Sequence, residues 1–302
     1  MSSEARRVEH QMTDKGYVPI YTTAVVDQPW ADYTKTEHET WATLFRRQRD
    51  VLKGRACREF IDNQERFGMT PDAIPRFEEL NEVLAKATDW QLVGVEGLLP
   101  ELTFFDHLAN RRFPVTWWIR KPEQIDYISE PDLFHDLFGH VPLLTLPVFA
   151  DYMQAYGEGG LKASHLQACK LLARLYWYTV EFGLVQQKEG LRIYGAGIAS
   201  SFSESTFSVQ SDSPNRIGFD LERVMRTNYR IDDFQETYFV LDKLEDLLAL
   251  ANTEFAPYYA RLDSGPTYQP GDVLPTDKVP HHGTGSYHRA RAAAATATTA
   301  KV

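Results

Sequence analysis

The feature that most constrains the fold is a long helical pattern over about 163–187, with Leu171, Leu172, Leu175, Tyr178, Thr179 and Phe182 on its apolar side. Such a helix belongs inside a large core. Yet it carries a carboxylate, Glu181, among Tyr176, Trp177, Tyr178 and Phe182. Trp177, one turn earlier, shares its face, and Ala173, a turn before that, leaves space there. A carboxylate on an apolar face has to be paired, protonated or bound to a metal. These residues alone leave a salt bridge and a metal equally open.

The chain can supply the core. Its 302 residues are 43% hydrophobic and 13% aromatic, enough for one large domain. Thr34 and Glu37 have capping-box spacing, and Trp41, Leu44, Phe45 and Gln48 follow at helical intervals. Further helices are expected over 58–67, 76–87, 102–110 and 241–262. Short strands or extended connectors are expected over 91–95, 115–120 and 125–128. From residue 263 the composition turns to Gly, Pro, Ala and Thr and closes with ARAAAATATTAKV, which has little to bury. The expected organisation is an irregular arm over 1–30, one mainly α domain with a few short β-strands over 31–262, and a flexible tail over 263–302.

Charge narrows the partners. With 42 acidic against 32 basic side chains, the net charge is −10, which argues against nucleic acid or an anionic membrane surface. The one basic run, Arg46-Arg47-Gln48-Arg49, reads as the wet face of a helix. No run of eighteen apolar residues exists, so no membrane span is expected. The two cysteines, Cys57 and Cys169, lack CxxC spacing, which argues against a disulfide scaffold and a thiolate zinc site. The N-terminus has no apolar signal segment. A cytoplasmic location is expected.

A second chemical feature is SEPDLFHDLFGHVP, Ser129 to Pro142. Ser129 suits an N-cap, Pro131 a first turn, and Gly139 a C′ residue, with Pro142 barring further helix. His135 then lies on a short helix and His140 just past its end. A continuous helix would set the two rings about 140° apart at about 100° per residue. A break at Gly139 would re-aim His140 toward His135. Two histidines alone can be a structural pair. With Glu181 they make the two-His, one-carboxylate set of non-haem ferrous oxygenases, which zinc hydrolases can also use.

EPDLFHDLFGHVPLL, YWYTVEFGL and YGAGIASSFSE (Tyr194 to Glu204) occur in order, after GVEGLLPELTFFDHL and FPVTWWIR and before DFQETYFV. Together they resemble the pterin-dependent aromatic amino acid hydroxylases over about residues 30 to 260, and the chain is most similar to the single-domain bacterial members acting on phenylalanine. The resemblance implies iron(II) held by His135, His140 and Glu181. It also implies a tetrahydropterin (tetrahydrobiopterin or a bacterial analogue) as cosubstrate, and conversion of L-phenylalanine to L-tyrosine with dioxygen. Tryptophan or tyrosine as substrate is the near alternative. A zinc hydrolase on the same triad, or a non-catalytic helical domain, is the distant one.

Residue by residue, the resemblance places Phe104 against the pterin ring and backbone groups of Gly97, Leu98 and Leu99 beside it. Ala173 and Tyr176 fall in the same region, as does Asp136, which stands where animal members carry glutamate. Arg120 falls on the arginine that grips the amino acid's carboxylate, for which a bidentate guanidinium is suited. Pro131, Trp177 and Ser200 fall around the bound amino acid. Ile128 replaces a threonine of the animal phenylalanine enzymes. No catalytic residue beyond the iron site is implied. The tail lacks heptads, so a monomer is expected.

Overall fold

The computed structural model describes residues 25–262 and 264–299, together with the backbone of a short antiparallel ladder, β1 (Met12–Thr13) against β2 (Gly16–Tyr17). The arm expected over 1–30 therefore lies largely outside the described residues.

The first helix, α1 (Lys35–Leu52), starts where its capping chemistry dictates. The Thr34 hydroxyl accepts from the Glu37 N–H, and the Thr34 N–H donates to the Glu37 carboxylate at 2.7 Å. Its buried stripe, including Trp41, Leu44 and Phe45, packs on the histidine segment: Trp41 against Phe134 and Phe45 against Phe138, each pair edge-on at 5.5 Å. Gln48, which sits in the basic run but at the helical spacing of Trp41, Leu44 and Phe45, is buried with them and donates to the Ser205 hydroxyl at 2.7 Å. Next come α2 (Arg58–Arg66), α3 (Phe77–Ala87), β3 (Gln91–Val95), α4 (Glu101–Ala109) and β4 (Arg112–Thr116). β3 and β4 form a two-stranded parallel pair.

The long pattern over 163–187 is not one helix. After α5 (Val141–Leu144) comes α6 (Pro147–His165), the longest helix described and not expected from the sequence. Gly157, Gly159 and Gly160 depress its intrinsic helicity, but Gly160 lets the Phe105 ring approach to where a β-carbon would sit only 2.1 Å away. α6 stops in a Schellman turn: the Ala168 N–H bonds the Ala163 carbonyl at 3.0 Å and Gln167 takes φ +55°. Glutamine at that left-handed position hides a stop that glycine would announce. A new helix, α7 (Cys169–Tyr176), leads to Glu181.

Beyond Glu181 lies a four-stranded sheet of order β6-β5-β8-β7, built from β5 (Leu184–Gln187), β6 (Gly190–Ile193), β7 (Asn215–Gly218) and β8 (Thr237–Leu241). Between β6 and β7 run α8 (Ala196–Ala199) and α9 (Phe202–Gln210), and α10 (Leu221–Met225) follows β7. The helix expected over 241–262 is two short ones, α11 (Asp246–Ala251) and α12 (Ala256–Leu262). The connector expected as extended at 125–128 follows a single 3-10 turn, Pro122–Gln124. The protein is mainly α with short strands, as expected.

Residues 264–299, expected as a flexible tail, run along the body. β7 is an edge strand whose outer groups need partners. The Arg216 N–H donates to the His281 carbonyl at 2.9 Å and the Gly218 N–H to that of Lys278 at 2.7 Å. Asp277 pairs with Arg223 at 2.9 Å, both side chains about 95% buried. The segment then ends in α13 (Ser286–Thr299). Composition carries no signal of these contacts, which come from backbone groups and one buried ion pair. Asp277→Ala is expected to strand the Arg223 charge and cost about 3–5 kcal/mol, readable as a lowered denaturant midpoint. An unchanged midpoint would show that the segment adds nothing to stability.

Candidate metal centre and substrate cleft

The two histidines meet through a π-helical segment, His135–His140, that runs on into α5. Its hydrogen bonds span five residues, which brings residue 140 over residue 135. Gly139 is therefore not a C′ stop. It is the point where the segment touches α8, since a β-carbon there would lie 2.8 Å from the Ala196 carbonyl oxygen. Glu181 ends a second π-helical segment, Trp177–Glu181, in which the Phe182 N–H reaches the Trp177 carbonyl at 2.8 Å. Both wide turns lie at the site.

The three side chains converge. The Nε2 atoms of His135 and His140 are 3.0 Å apart, and Glu181 lies 3.2 Å from His140 Nε2 and 3.6 Å from His135 Nε2. Among the described residues this is the one such group able to hold a metal ion. The Ser200 hydroxyl donates to the Ala196 carbonyl at 2.8 Å and so accepts from His135 Nδ1 at 2.9 Å. That hydrogen bond leaves the His135 Nε2 lone pair facing the cluster. Burial holds the His135 pKa down to about 4. Burial pushes the Glu181 carboxyl up, but His140, His135 and the Gly197 N–H outweigh it and its pKa is lowered. Neutral imidazole and ionised carboxylate are the ligating forms. Convergent lone pairs and a carboxylate, with His135 and Glu181 open to a cleft, fit a cation bound on one face.

The cleft holds about 730 Å3. Arg120, Pro131, Trp177 and Ser200 all line it, as does Ile128. Arg120 is buried and fixed by Asp132, which accepts from its backbone N–H, Nε and Nη2, each at 2.9 Å. The side-on fork is therefore occupied, and the end-on edge of Nη1 and Nη2 is the one left for an anion. Asp132 also accepts from the His135 N–H at 3.0 Å, tying Arg120 to the first ligand. Nothing local in the sequence marks Asp132 for this role, because its partner is twelve residues away. Trp177 stacks on Tyr229 at 4.3 Å and donates to Gln235 at 3.1 Å. Ser200, placed near the carboxylate by resemblance, is spent first on His135.

The residues assigned to the pterin sit elsewhere around the ligands. Of them only Leu98, which is 77% exposed, lines the cleft. Gly97 and Leu99 share its loop, and Ala173 is half-buried on α7. Tyr176 lies 6.4 Å from the His140 ring and meets Phe104 edge-on at 5.6 Å. Asp136 is buried, accepts from the Thr116 N–H at 2.8 Å, and is pushed up to about 7 by burial.

Glu204, deep in the cleft wall, accepts from the Tyr238 hydroxyl at 2.6 Å and is raised to about 7 by burial. Its native pKa exceeds its unfolded value, so the native state binds the extra proton and stability falls as pH rises from about 4.5 to 7. Glu204→Gln is therefore expected to be more stable than the parent at pH 8 by about 3 kcal/mol, with the gap closing toward pH 5. Melting temperatures across that range test it; a gap independent of pH would refute the assignment.

A mainly helical domain holding a two-His, one-carboxylate centre beside an aromatic cleft defines a mononuclear non-haem metal protein. The model of the biopterin-dependent aromatic amino acid hydroxylases matches residues 17–263, and the chain belongs to that family. It is 58% identical over 259 residues to the phenylalanine-4-hydroxylase of Ralstonia nicotianae, covering 86% of this chain and 83% of the relative. The Chromobacterium violaceum phenylalanine-4-hydroxylase is 57% identical over 252 residues, covering 83% and 85%. The iron- and phenylalanine-bound crystal structure of phenylalanine hydroxylase from C. violaceum superposes with a TM-score of 0.81 at 55% identity, over 84% of this chain and 93% of that one.

Proposed function

We infer that this chain is a monooxygenase that converts L-phenylalanine to L-tyrosine with dioxygen and a tetrahydropterin at one iron(II) ion. The observation that carries the reading is the convergence of His135, His140 and Glu181 on one side of a cleft that also presents Arg120 and Trp177. The phenylalanine-4-hydroxylase relatives, at up to 58% identity, support the choice of substrate.

Iron(II) and tetrahydropterin, when bound, supply the activated oxygen that is transferred to the ring. The protein's own residues bind and orient. The end-on edge of Arg120 takes the amino acid's carboxylate, with Asp132 holding the guanidinium still. Trp177, Pro131 and Ile128 offer the apolar wall for the ring. Ser200 keeps His135 in the tautomer that ligates. Phe104 and Tyr176 provide aromatic surface for the pterin, with the 97–99 loop beside it. The protein acts as a monomer in the cytoplasm. Among the described residues no helix is long and apolar enough to cross a membrane, and both cysteines are free.

Tyrosine formation from phenylalanine, with ferrous iron, a tetrahydropterin and oxygen added, tests the assignment, and tryptophan and tyrosine as competing substrates test the preference. No tyrosine, with zinc supporting an ester or amide hydrolysis instead, would overturn it. Sedimentation at working concentration tests the monomer.

A further inference from the structure

The residues matched by the family model end at 263, yet the cleft does not. Tyr287 and Arg291, on the first turns of α13, line it together with Arg120 and Trp177. We propose that these two are positioning residues for the amino acid substrate, acting through Asp233 to hold one wall of the cleft; this rests on the phenylalanine reading above.

The contacts form a continuous path. Asp233 accepts from the Tyr287 hydroxyl at 2.8 Å on one oxygen and from Arg291 Nε at 3.1 Å on the other. His288 Nε2 donates to the Phe234 carbonyl at 2.9 Å. The Tyr287 ring packs 5.2 Å from Phe207 and 5.2 Å from Phe234, which stack on each other at 4.5 Å. The segment 233–234 is thus pinned from outside by α13.

The neighbouring Gln235 carries the effect inward. Its side-chain oxygen accepts from Trp177 Nε1 at 3.1 Å and from the Arg230 N–H at 3.2 Å, and its amide donates to the Arg230 carbonyl at 2.8 Å. Trp177 is stacked on Tyr229, at the other end of the same loop. Between them Ile231 is 76% exposed, so the loop has little core packing of its own there. Where this wall stands depends on what α13 contributes.

A chain ended at Gly285 is expected to show a phenylalanine KM raised about three- to tenfold, the worth of one or two net hydrogen bonds, with kcat within about twofold and iron content unchanged. Tyr287→Phe keeps the ring packing and loses the hydroxyl, so it should show part of the rise. Arg291→Gln should show another part, largely restored by Arg291→Lys. In an Asp233→Ala background, Tyr287→Phe should add little, because both changes break one contact. An unaltered KM in the shortened chain would overturn the proposal. So would parallel losses of kcat, iron and melting temperature with no selective KM change, since those assign α13 a purely structural role. Calorimetric titration of the iron-loaded full and shortened chains with L-phenylalanine reads the same ratio without turnover. A full chain that binds phenylalanine but makes no tyrosine would then sink the assigned reaction, while the binding ratio still decides the wall.

Discussion

Glu181→Ala is expected to abolish tight iron binding: affinity should fall by more than about 100-fold, since even residues that only orient a metal ligand are worth 10- to 100-fold. Glu181 is the one carboxylate in the convergent group, 3.2 and 3.6 Å from the two imidazole nitrogens. Removing it leaves two neutral imidazoles and takes away the one anionic ligand of the two-His, one-carboxylate set. Tyrosine formation at fixed iron should fall in step. Two readouts separate loss of metal from loss of fold. Added iron(II) should raise the melting temperature of the parent and leave that of the variant in place, and the variant's far-ultraviolet spectrum should match the parent's. A variant that keeps its iron through desalting would remove Glu181 from the ligand set. Metal identity has to be checked by adding iron to metal-free protein, because copper and zinc outcompete iron for nitrogen donors.

Asp132→Ala is expected to destabilise the fold by about 3–5 kcal/mol and to raise the phenylalanine KM as well. Asp132 is fully buried and neutralises a guanidinium that is only 7% exposed. Truncation leaves that charge in the core without a partner, and also uncaps the His135 N–H. The milder Asp132→Asn keeps one acceptor and should fold well enough for kinetics. In it the KM effect should appear with iron still bound, since Arg120 loses its fixed orientation while the ligands stay. Denaturant unfolding and substrate saturation report the two effects separately. A normal KM in a folded Asp132→Asn protein would show that Arg120 does not hold the substrate.

Both effects depend on contacts that differ in how plainly the sequence announces them. The capping box at Thr34 and Glu37 and the strand Gln91–Val95 are local, and each appears where local chemistry places it. The break after α6 is local too, but glutamine stands at the left-handed position, so nothing marks it. The sheet over β5 to β8 was missed because its strands are short and joined by distant connections, with β5 and β8 parallel across more than fifty residues. The ligands themselves were legible through the motifs around them. How they meet was not: a helix ending at Gly139 was expected, and a π-helical segment performs the alignment.

By itself the sequence determined the mainly helical class and singled out His135, His140 and Glu181, which the fold brings together, and Arg120, Pro131, Trp177 and Ser200, which line one cleft. The class follows from residue type and periodicity and the two sets of side chains from the resemblance of the ordered motifs to one family, neither of which needs coordinates. Only the tertiary structure decided that Asp132 occupies one edge of Arg120, that Ser200 serves His135 first, and that α13 reaches back to the cleft. The physical reason is common to all three. A hydrogen bond between residues 12 or 65 positions apart, or a helix docking 54 residues from its partner, leaves no periodic trace in the chain; it exists only once the core has brought the segments together.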